Sequence, residues 1–264
     1  MVNASTILSV EKLREYRSRG DELLVECLES VDHHAMSELW ALQNDRELFA
    51  KKFDSSLHIL VDKLCILPPA YDETLFKASS VFFTAHKQYL LMMLGLVSLP
   101  YCYGGADGSK VLVSSERILS NTTVRLQETG TFVWDVCSED AFTGNGKGFL
   151  STLKVRLIHQ FVRKKLLKEG WESKIDGYPV NQLDQAGTNL SFSLIALRAI
   201  RKTGIEISDE EMQSYIHRWN IISTLLGLDP QLTADTVRKA SVLSGNIERI
   251  QFRKSKDGKA LTDA

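Results

Sequence analysis

The chain has 264 residues, of which 44% are hydrophobic, so it can bury a substantial core as one large domain or two small ones. Its 32 basic and 33 acidic side chains nearly cancel, which argues against a nucleic-acid-binding protein, since those carry a marked positive charge. The four cysteines contain no C-x-x-C pair, so their spacing predicts neither a zinc site nor a redox dithiol.

The first part of the chain predicts a series of helices. Residues 1–30 contain two short, strongly charged helical segments, which we expect to form an N-terminal extension lying on the domain surface. Helical spacing of apolar residues predicts further helices over residues 32–49 and 57–65, and a long helix from Asp72 to near Pro100. The apolar run in this long helix is too short to span a bilayer, and the N-terminus lacks a secretory pattern. We therefore expect a cytoplasmic protein with no transmembrane segment.

The middle of the chain contains the first candidate polar site. Residues 101–110 are rich in glycine and predict a loop, and a helix is predicted over residues 114–136. On that helix Arg125, Glu128 and Thr129 share one face, at spacings i, i+3 and i+4. These side chains form either an exposed ion pair or part of a pocket wall.

The next helix, over residues 152–166, places a histidine within an apolar stripe. His159 has Val155 and Val162 one turn away on either side, and Arg156 and Arg163 also lie one turn away, at i−3 and i+4. One interpretation is a core histidine bonded to a backbone carbonyl, with arginines that extend into solvent. The other is an iron ligand flanked by arginines that pair with the carboxylates of a planar metal cofactor. The residues alone favour the first interpretation.

The C-terminal part predicts more helices and a tail. A helix over residues 181–203 carries Thr188, and the capping box formed by Ser208 and Glu211 begins another. A last short helix is predicted over residues 234–243, and residues 251–264 predict a basic, disordered tail. Because no segment shows the alternation of a strand, the sequence predicts an all-α protein with a single helical domain over residues 31–250.

Several of these motifs together resemble one family. The order Arg125-Leu-Gln-Glu-Thr129, then Arg156-x-x-His159-x-x-x-Arg163, then Gly177-Tyr-Pro-Val-Asn-Gln-x-Asp184-x-x-x-Thr188 and Phe192-Ser193, resembles the rubber oxygenases known as latex clearing proteins. It is also similar to the endoplasmic-reticulum-bound oxygenases of mycophenolic acid biosynthesis. The similar segment covers roughly residues 112–228. The resemblance implies a globin-like helical core around haem b, and cleavage of isoprenoid double bonds by dioxygen.

The resemblance also implies roles for individual residues. His159 matches the proximal iron ligand, and Arg156 and Arg163 match arginines that pair with the haem propionates. Arg125 and Thr129 match polar residues on the distal side of the haem, and Thr188 joins the cofactor-binding set. At the position of Glu128 the latex clearing proteins have a lysine, so the chain departs from the family pattern there.

Together these observations predict a haem-dependent oxygenase that acts on a small apolar substrate, isoprenoid or otherwise unsaturated. Glu128, Arg125 and Thr129 are the expected catalytic residues, and dioxygen or peroxide is the expected co-substrate. Three alternatives remain. The first is a peroxidase or peroxygenase that uses Glu128 as its acid and base, and the second is a haem-binding sensor without turnover. The third is a helical interaction module that has lost haem.

Overall fold

The computed structural model describes residues 8–29, 31, 33–114 and 122–264, and these residues form an all-α structure. Apart from one isolated bridge between Gly105 and Phe252, the described residues contain no β-structure. The helices are α1 (Val10–Glu15), α2 (Glu22–Leu28), α3 (His33–Ala41), α4 (Asp45–Ala50), α5 (Ser55–Leu64), α6 (Glu73–Met93), α7 (Leu99–Cys102), α8 (Ala106–Ser114), α9 (Thr122–Cys137), α10 (Gly148–Lys168), α11 (Ser173–Asp176), α12 (Gln182–Leu190), α13 (Ala196–Lys202), α14 (Asp209–Leu225), α15 (Val237–Gln251) and α16 (Lys256–Asp263). The prediction of a single all-α domain is confirmed.

Two hydrophobic clusters form the core. The larger cluster is centred on α6, α12, α13 and α14. The smaller cluster is formed by α2, α3, α4 and α5 together with the N-terminal half of α10. Helices α6 and α14 pack closely along their lengths. Between them Arg218 is fully buried, and its guanidinium donates hydrogen bonds to Ser79 Oγ, at 2.6 Å, and to the carbonyl oxygens of Phe76 and Val136. This buried cation therefore fixes α6, α9 and α14 relative to one another.

Two segments of π-helix interrupt the longest helical runs. Leu94–Ser98 joins α6 to α7, and Ser191–Ile195 joins α12 to α13. The two segments pack against each other, and Ser191 Oγ donates to the Ser98 carbonyl oxygen at 2.5 Å. Because a π-turn widens the helix, the run from α6 continues through Pro100 to Cys102, beyond the end that the sequence predicted.

Three predictions for the first half of the chain need correction. The helix predicted over residues 32–49 is two helices, because Asn44 accepts a hydrogen bond from Glu47 N and caps α4. The glycine-rich segment 101–110 is mostly helical, since Asp107 at the start of α8 is buried and held by Arg17 and Arg253. Residues 115–121 of the helix predicted over residues 114–136 lie outside the described residues.

Both ends of the described chain pack into the domain, contrary to prediction. Leu13, Tyr16 and Leu24, in the expected surface extension, are at most 1% exposed. The expected disordered tail contains α16, which Ser255 caps and whose Leu261 is buried against α8. The helix before it, α15, extends eight residues further than predicted, to Gln251. No described helix is long and apolar enough to cross a membrane.

Candidate functional site

A cavity of about 1190 Å³ lies between α9, α10, α12 and α15 and is the candidate functional site. Its volume exceeds the roughly 300–1,000 Å³ that is typical of sites for small ligands. Most of the side chains that form its wall are apolar: Leu99, Val111, Leu112, Leu126, Phe132, Val155, Ile158, Phe161, Val162, Leu166, Val180, Leu183, Leu190, Phe192, Trp219, Leu226, Leu228, Ile247 and Phe252. A cavity of this size and composition can hold a large apolar ligand, or a cofactor together with a substrate.

His159 lies in the middle of α10 and contributes its imidazole to the cavity wall. Burial, together with the positive charges of Arg163 and Arg125, lowers the pKa of His159 to about 3. The ring is therefore neutral at pH 7, which is the form that binds metal ions. Its Nδ1 atom is buried and has no hydrogen-bond partner among the described residues. A neutral imidazole at the wall is in the form that a metal bound in the cavity could take as a ligand.

Three of the predicted site residues line the cavity from α9. Arg125, Glu128 and Thr129 all contribute to the same wall, which is one of the two arrangements that their spacing allowed. The Arg125 Nη1 atom lies 3.4 Å from Glu128 Oε2, and both side chains are about two-fifths exposed. Thr129 Oγ1 donates to the Arg125 carbonyl oxygen at 2.9 Å. The wall formed by α9 therefore presents a cation and a carboxylate at a part of the cavity that solvent can reach.

Arg156 does not line this cavity. Its Nε and Nη2 atoms donate to the two carboxylate oxygens of Asp21, at 2.5 and 2.8 Å, and its Nη1 atom donates to the Leu225 carbonyl oxygen. Arg156 and Asp21 are both about 5% exposed or less, so this is a buried, bidentate ion pair. The pair attaches the segment before α2 to α10, and these contacts do not favour a propionate-binding role for Arg156.

Arg163 also lies outside the cavity, behind one of its walls. Its Nε and Nη2 atoms donate to the Val180 carbonyl oxygen at 3.2 and 2.8 Å, and its Nη1 atom donates to Gln160 Oε1. Val180 itself lines the cavity and has a φ of 50°, an unfavourable conformation for a β-branched residue. Arg163 therefore holds a strained turn in place. Its role as a propionate partner stays a prediction, to which these contacts give no support.

Thr188 lines the cavity, as do the polar residues Asp184 and Gln251. Its Oγ1 donates to the Asp184 carbonyl oxygen at 2.9 Å. Asp184, near the start of α12, also lines the cavity. Burial, together with the negative charge of Asp107, raises the pKa of Asp184 to about 7. Asp184 belongs to the motif quoted above, so the sequence could have indicated it. Gln251 also lines the cavity, but it lies beyond the predicted end of its helix and so could not be placed there from the sequence.

The cations that line the cavity are Arg125, Lys154 and Lys165. The Lys154 Nζ atom donates to the carbonyl oxygens of Trp40 and Leu42, at 3.0 and 2.8 Å. The Lys165 side chain is about half exposed and lies on α10 six residues after His159. Within the part of the chain that the structure describes, no three His, Cys, Asp or Glu side chains come together as a metal-binding group.

Comparisons with known proteins assign the fold to a class of oxygenase domains. A family model described as "ER-bound oxygenase mpaB/B'/Rubber oxygenase, catalytic domain" matches residues 89–247, which include every cavity-lining residue of α9, α10 and α12. The chain belongs to this family.

Two individual relatives agree with this assignment. The chain is 23% identical over 142 residues to a rubber oxygenase of Streptomyces sp. (strain K30), an alignment that covers 53% of this chain and 35% of the relative. The chain thus spans about a third of the length of that protein. A solved structure of latex clearing protein in the closed state superposes with a TM-score of 0.78 at 18% identity, covering 94% of this chain and 67% of the other. At that identity the likeness supports the fold.

Proposed function

We propose that this protein is an oxygenase that uses haem b and acts on a small apolar substrate, isoprenoid or otherwise unsaturated. The observation that carries the proposal is the imidazole of His159, which is neutral at pH 7 and lies at the wall of a large, mainly apolar cavity. Membership in a family of oxygenase catalytic domains supports the same conclusion.

The residues of the cavity fit a haem. His159 would hold the iron, and the apolar side chains of α10 on the same face would contact the macrocycle. The haem carboxylates need a cation, and Lys165 lines the cavity at a half-exposed position. We therefore propose Lys165 as a partner of the carboxylates in preference to Arg156 and Arg163, which bind protein oxygens. When bound, the haem supplies the iron that activates dioxygen or peroxide.

The residues on α9 can handle protons and charge beside the bound substrate. The Arg125 guanidinium can stabilise negative charge that develops in the cavity, because it is a fixed cation at the wall. The Glu128 carboxylate, 3.4 Å from Arg125, can accept a proton from a co-substrate or from an allylic carbon of the substrate and can return it. Thr129 directs its hydroxyl hydrogen to the backbone, so its oxygen is left to accept a hydrogen bond.

A second candidate function is a peroxidase or peroxygenase. It is favoured by the one departure from the family pattern, which places an acid at Glu128 where latex clearing proteins have a lysine. In this case Glu128 would take a proton from hydrogen peroxide at one oxygen and deliver it to the other. A third candidate is a haem-binding sensor in which Glu128 closes the iron and no turnover occurs.

An absorption spectrum tests the haem proposal. The full chain is purified after expression with added haem, and we expect a Soret band that His159→Ala abolishes or strongly weakens. His58→Ala is the matched control, because His58 is an exposed histidine that pairs with Asp62 and lies outside the cavity. Absence of a Soret band in the wild-type protein would refute all three haem-based candidates.

Turnover of a Glu128→Gln variant then separates the candidates. This substitution keeps the size of the side chain and removes its ability to take up a proton. In the peroxygenase case we expect peroxide-driven turnover to fall by about 10²–10⁴-fold while haem stays bound. In the oxygenase case dioxygen consumption with an unsaturated substrate should exceed peroxide-driven turnover in the wild-type protein. A haem-loaded protein that binds neither dioxygen, carbon monoxide nor peroxide would support the sensor.

A further inference from the structure

The cavity reaches solvent between α9 and α10, and the rim of this mouth carries large apolar side chains. Leu126 on α9 and Phe161 on α10 both line the cavity, yet they are 41% and 43% exposed. Arg125 and Glu128 line the cavity from the same stretch of α9 and are also about two-fifths exposed. Single exposed apolar side chains are common on protein surfaces, whereas two that flank one opening indicate a surface that binds an apolar partner.

The exposed face of α10 beside this mouth is basic. Four exposed residues lie at positions i, i+3, i+4 and i+7 and therefore share one face of the helix: Phe161, Lys164, Lys165 and Lys168. Glu169 follows the last residue of α10, and its Oε1 atom lies 3.9 Å from Lys165 Nζ. Lys164 and Lys168 form no ion pair with a described residue. We define the basic mouth face as Leu126, Phe161, Lys164, Lys165 and Lys168.

The charge of the basic mouth face restricts what can cover it. In a symmetric dimer, a two-fold contact through this face would place lysines against the same lysines of the other copy, which is unfavourable. Lys164 and Lys168 need a negatively charged partner, whereas Leu126 and Phe161 need an apolar one. A lipid bilayer with anionic headgroups offers both, because its headgroups lie directly above the boundary of the acyl chains.

We propose that the basic mouth face docks on a bilayer that contains anionic lipids. Leu126 and Phe161 would enter the boundary between headgroups and acyl chains, and the lysines would bind the headgroups. The mouth of the cavity would then face the acyl chains, so that an apolar molecule can pass from the bilayer to the cavity wall without exposing its surface to water. This inference goes beyond the proposed function, since the docking requires neither haem nor turnover.

Sedimentation with lipid vesicles tests the docking. The full chain is mixed with phosphatidylcholine vesicles that either contain or lack phosphatidylserine, and the bound fraction gives a partition coefficient for each. We expect at least about tenfold stronger binding to the vesicles with phosphatidylserine, because each lysine near an anionic surface contributes roughly a factor of five. Added salt should weaken this preference, since it screens exposed charges.

Charge reversals test the contribution of the lysines. Lys164→Glu/Lys168→Glu should weaken binding to the vesicles with phosphatidylserine by about 25-fold or more, which is a factor of about five for each lysine lost. Its matched control is Lys77→Glu/Lys259→Glu, which changes the net charge equally at exposed lysines of α6 and α16. The control should retain most of the binding.

Replacing the aromatic side chain tests the apolar contact. Phe161→Ser should weaken binding to the same vesicles by about tenfold, because the phenyl ring no longer enters the bilayer. Leu96→Ser is its control, at an apolar residue that is 68% exposed and does not line the cavity, and it should have little effect. Both positions are exposed, so both variants should keep the fold, which circular dichroism checks.

Failure to bind vesicles, or equal binding with and without phosphatidylserine, would overturn the proposal. So would equal losses in the variants of the basic mouth face and in their controls. Binding to soluble polyglutamate as strong as to the anionic vesicles would assign the face to an acidic protein partner and reject the bilayer. A Soret band that depends on His159, combined with no vesicle binding, would leave the proposed function standing, whereas vesicle binding without a Soret band would leave only the docking surface.

Discussion

Replacing Arg156 tests whether this residue binds a cofactor or holds the fold together. The resemblance to oxygenases assigns Arg156 to a haem propionate, whereas the structure pairs it with Asp21. We consider Arg156→Met, which keeps most of the length of the side chain and removes its charge. The two roles predict different results. If Arg156 pairs with Asp21, its removal destabilises the cofactor-free protein, whereas a residue that only binds a haem propionate would leave that stability unchanged.

The magnitude follows from burial and geometry. The side chains of Arg156 and Asp21 are 6% and 2% exposed, and two hydrogen bonds of 2.5 and 2.8 Å join them. Removing one partner of a buried pair costs about 3–5 kcal/mol, because the other charge stays buried without compensation. Asp21→Asn should cost less, since the amide oxygen can still cap α2 by accepting from Leu24 N. The double variant Asp21→Asn/Arg156→Met should be more stable than Arg156→Met alone.

Urea unfolding, followed by circular dichroism, measures these free energies. With a slope of about 3 kcal/mol per molar urea, Arg156→Met should lower the midpoint by about 1 M or more. Lys164→Met, at an exposed position of the same helix, is the control and should change the free energy of unfolding by about 0.5 kcal/mol or less. An unchanged midpoint in Arg156→Met, together with weakened haem binding, would refute the structural role and restore the propionate assignment.

Three further predictions concern the stability of the fold. Asp45 caps α10 by accepting from Phe149 N and Leu150 N, and burial raises its pKa to about 6. Its folded pKa exceeds the ordinary value of 3.8, so this contribution to stability is present below pH 3.8 and is lost as the pH rises through 6. The stability of the wild-type protein relative to Asp45→Asn should therefore fall by roughly 2.4 kcal/mol between pH 4 and pH 7, and a difference that does not depend on pH would contradict this. Arg163→Met should lower the melting temperature, and Val180→Gly added to it should restore part of the loss because glycine adopts a φ of 50° without strain; a further decrease would count against the strained turn. Leu261→Ala should cost about 2–5 kcal/mol in urea unfolding, and no loss would show that α16 does not pack as described.

The sequence was most informative where local patterns determine structure. The capping box of Ser208 and Glu211 correctly predicted the start of α14, and the apolar spacing predicted the helices. It was least informative at α8 and α16, whose helical structure depends on distant partners. Asp107 in α8 is held by arginines from the two ends of the chain, and Leu261 in α16 is buried against α8. Such tertiary contacts outweigh the propensity of a glycine-rich or charged segment.

The positions around His159 show what spacing alone omits. Residues at i−3 and i+4 both lie within one turn of His159, but at about 100° per residue Arg156 and Arg163 are displaced by about 40–60° to one side. Val155 and Val162, at i−4 and i+3, are displaced by the same angles to the other side. His159 therefore lies at the boundary between the two flanks. The valines face the cavity and the arginines face Asp21 and Val180. The direction in which each side chain is displaced from His159 could be derived from the sequence. Which of the two sides faces the cavity could not.

The central claim, that His159 holds the iron of a haem, is tested most directly by chemical rescue. His159→Gly removes the imidazole and leaves a space in the wall of the cavity, which free imidazole can enter. We expect the Soret band of the haem-loaded variant to be weak or shifted, and to return to its wild-type position when imidazole is added. A Soret band that is the same in the wild-type protein and in His159→Gly, with no response to imidazole, would contradict the claim.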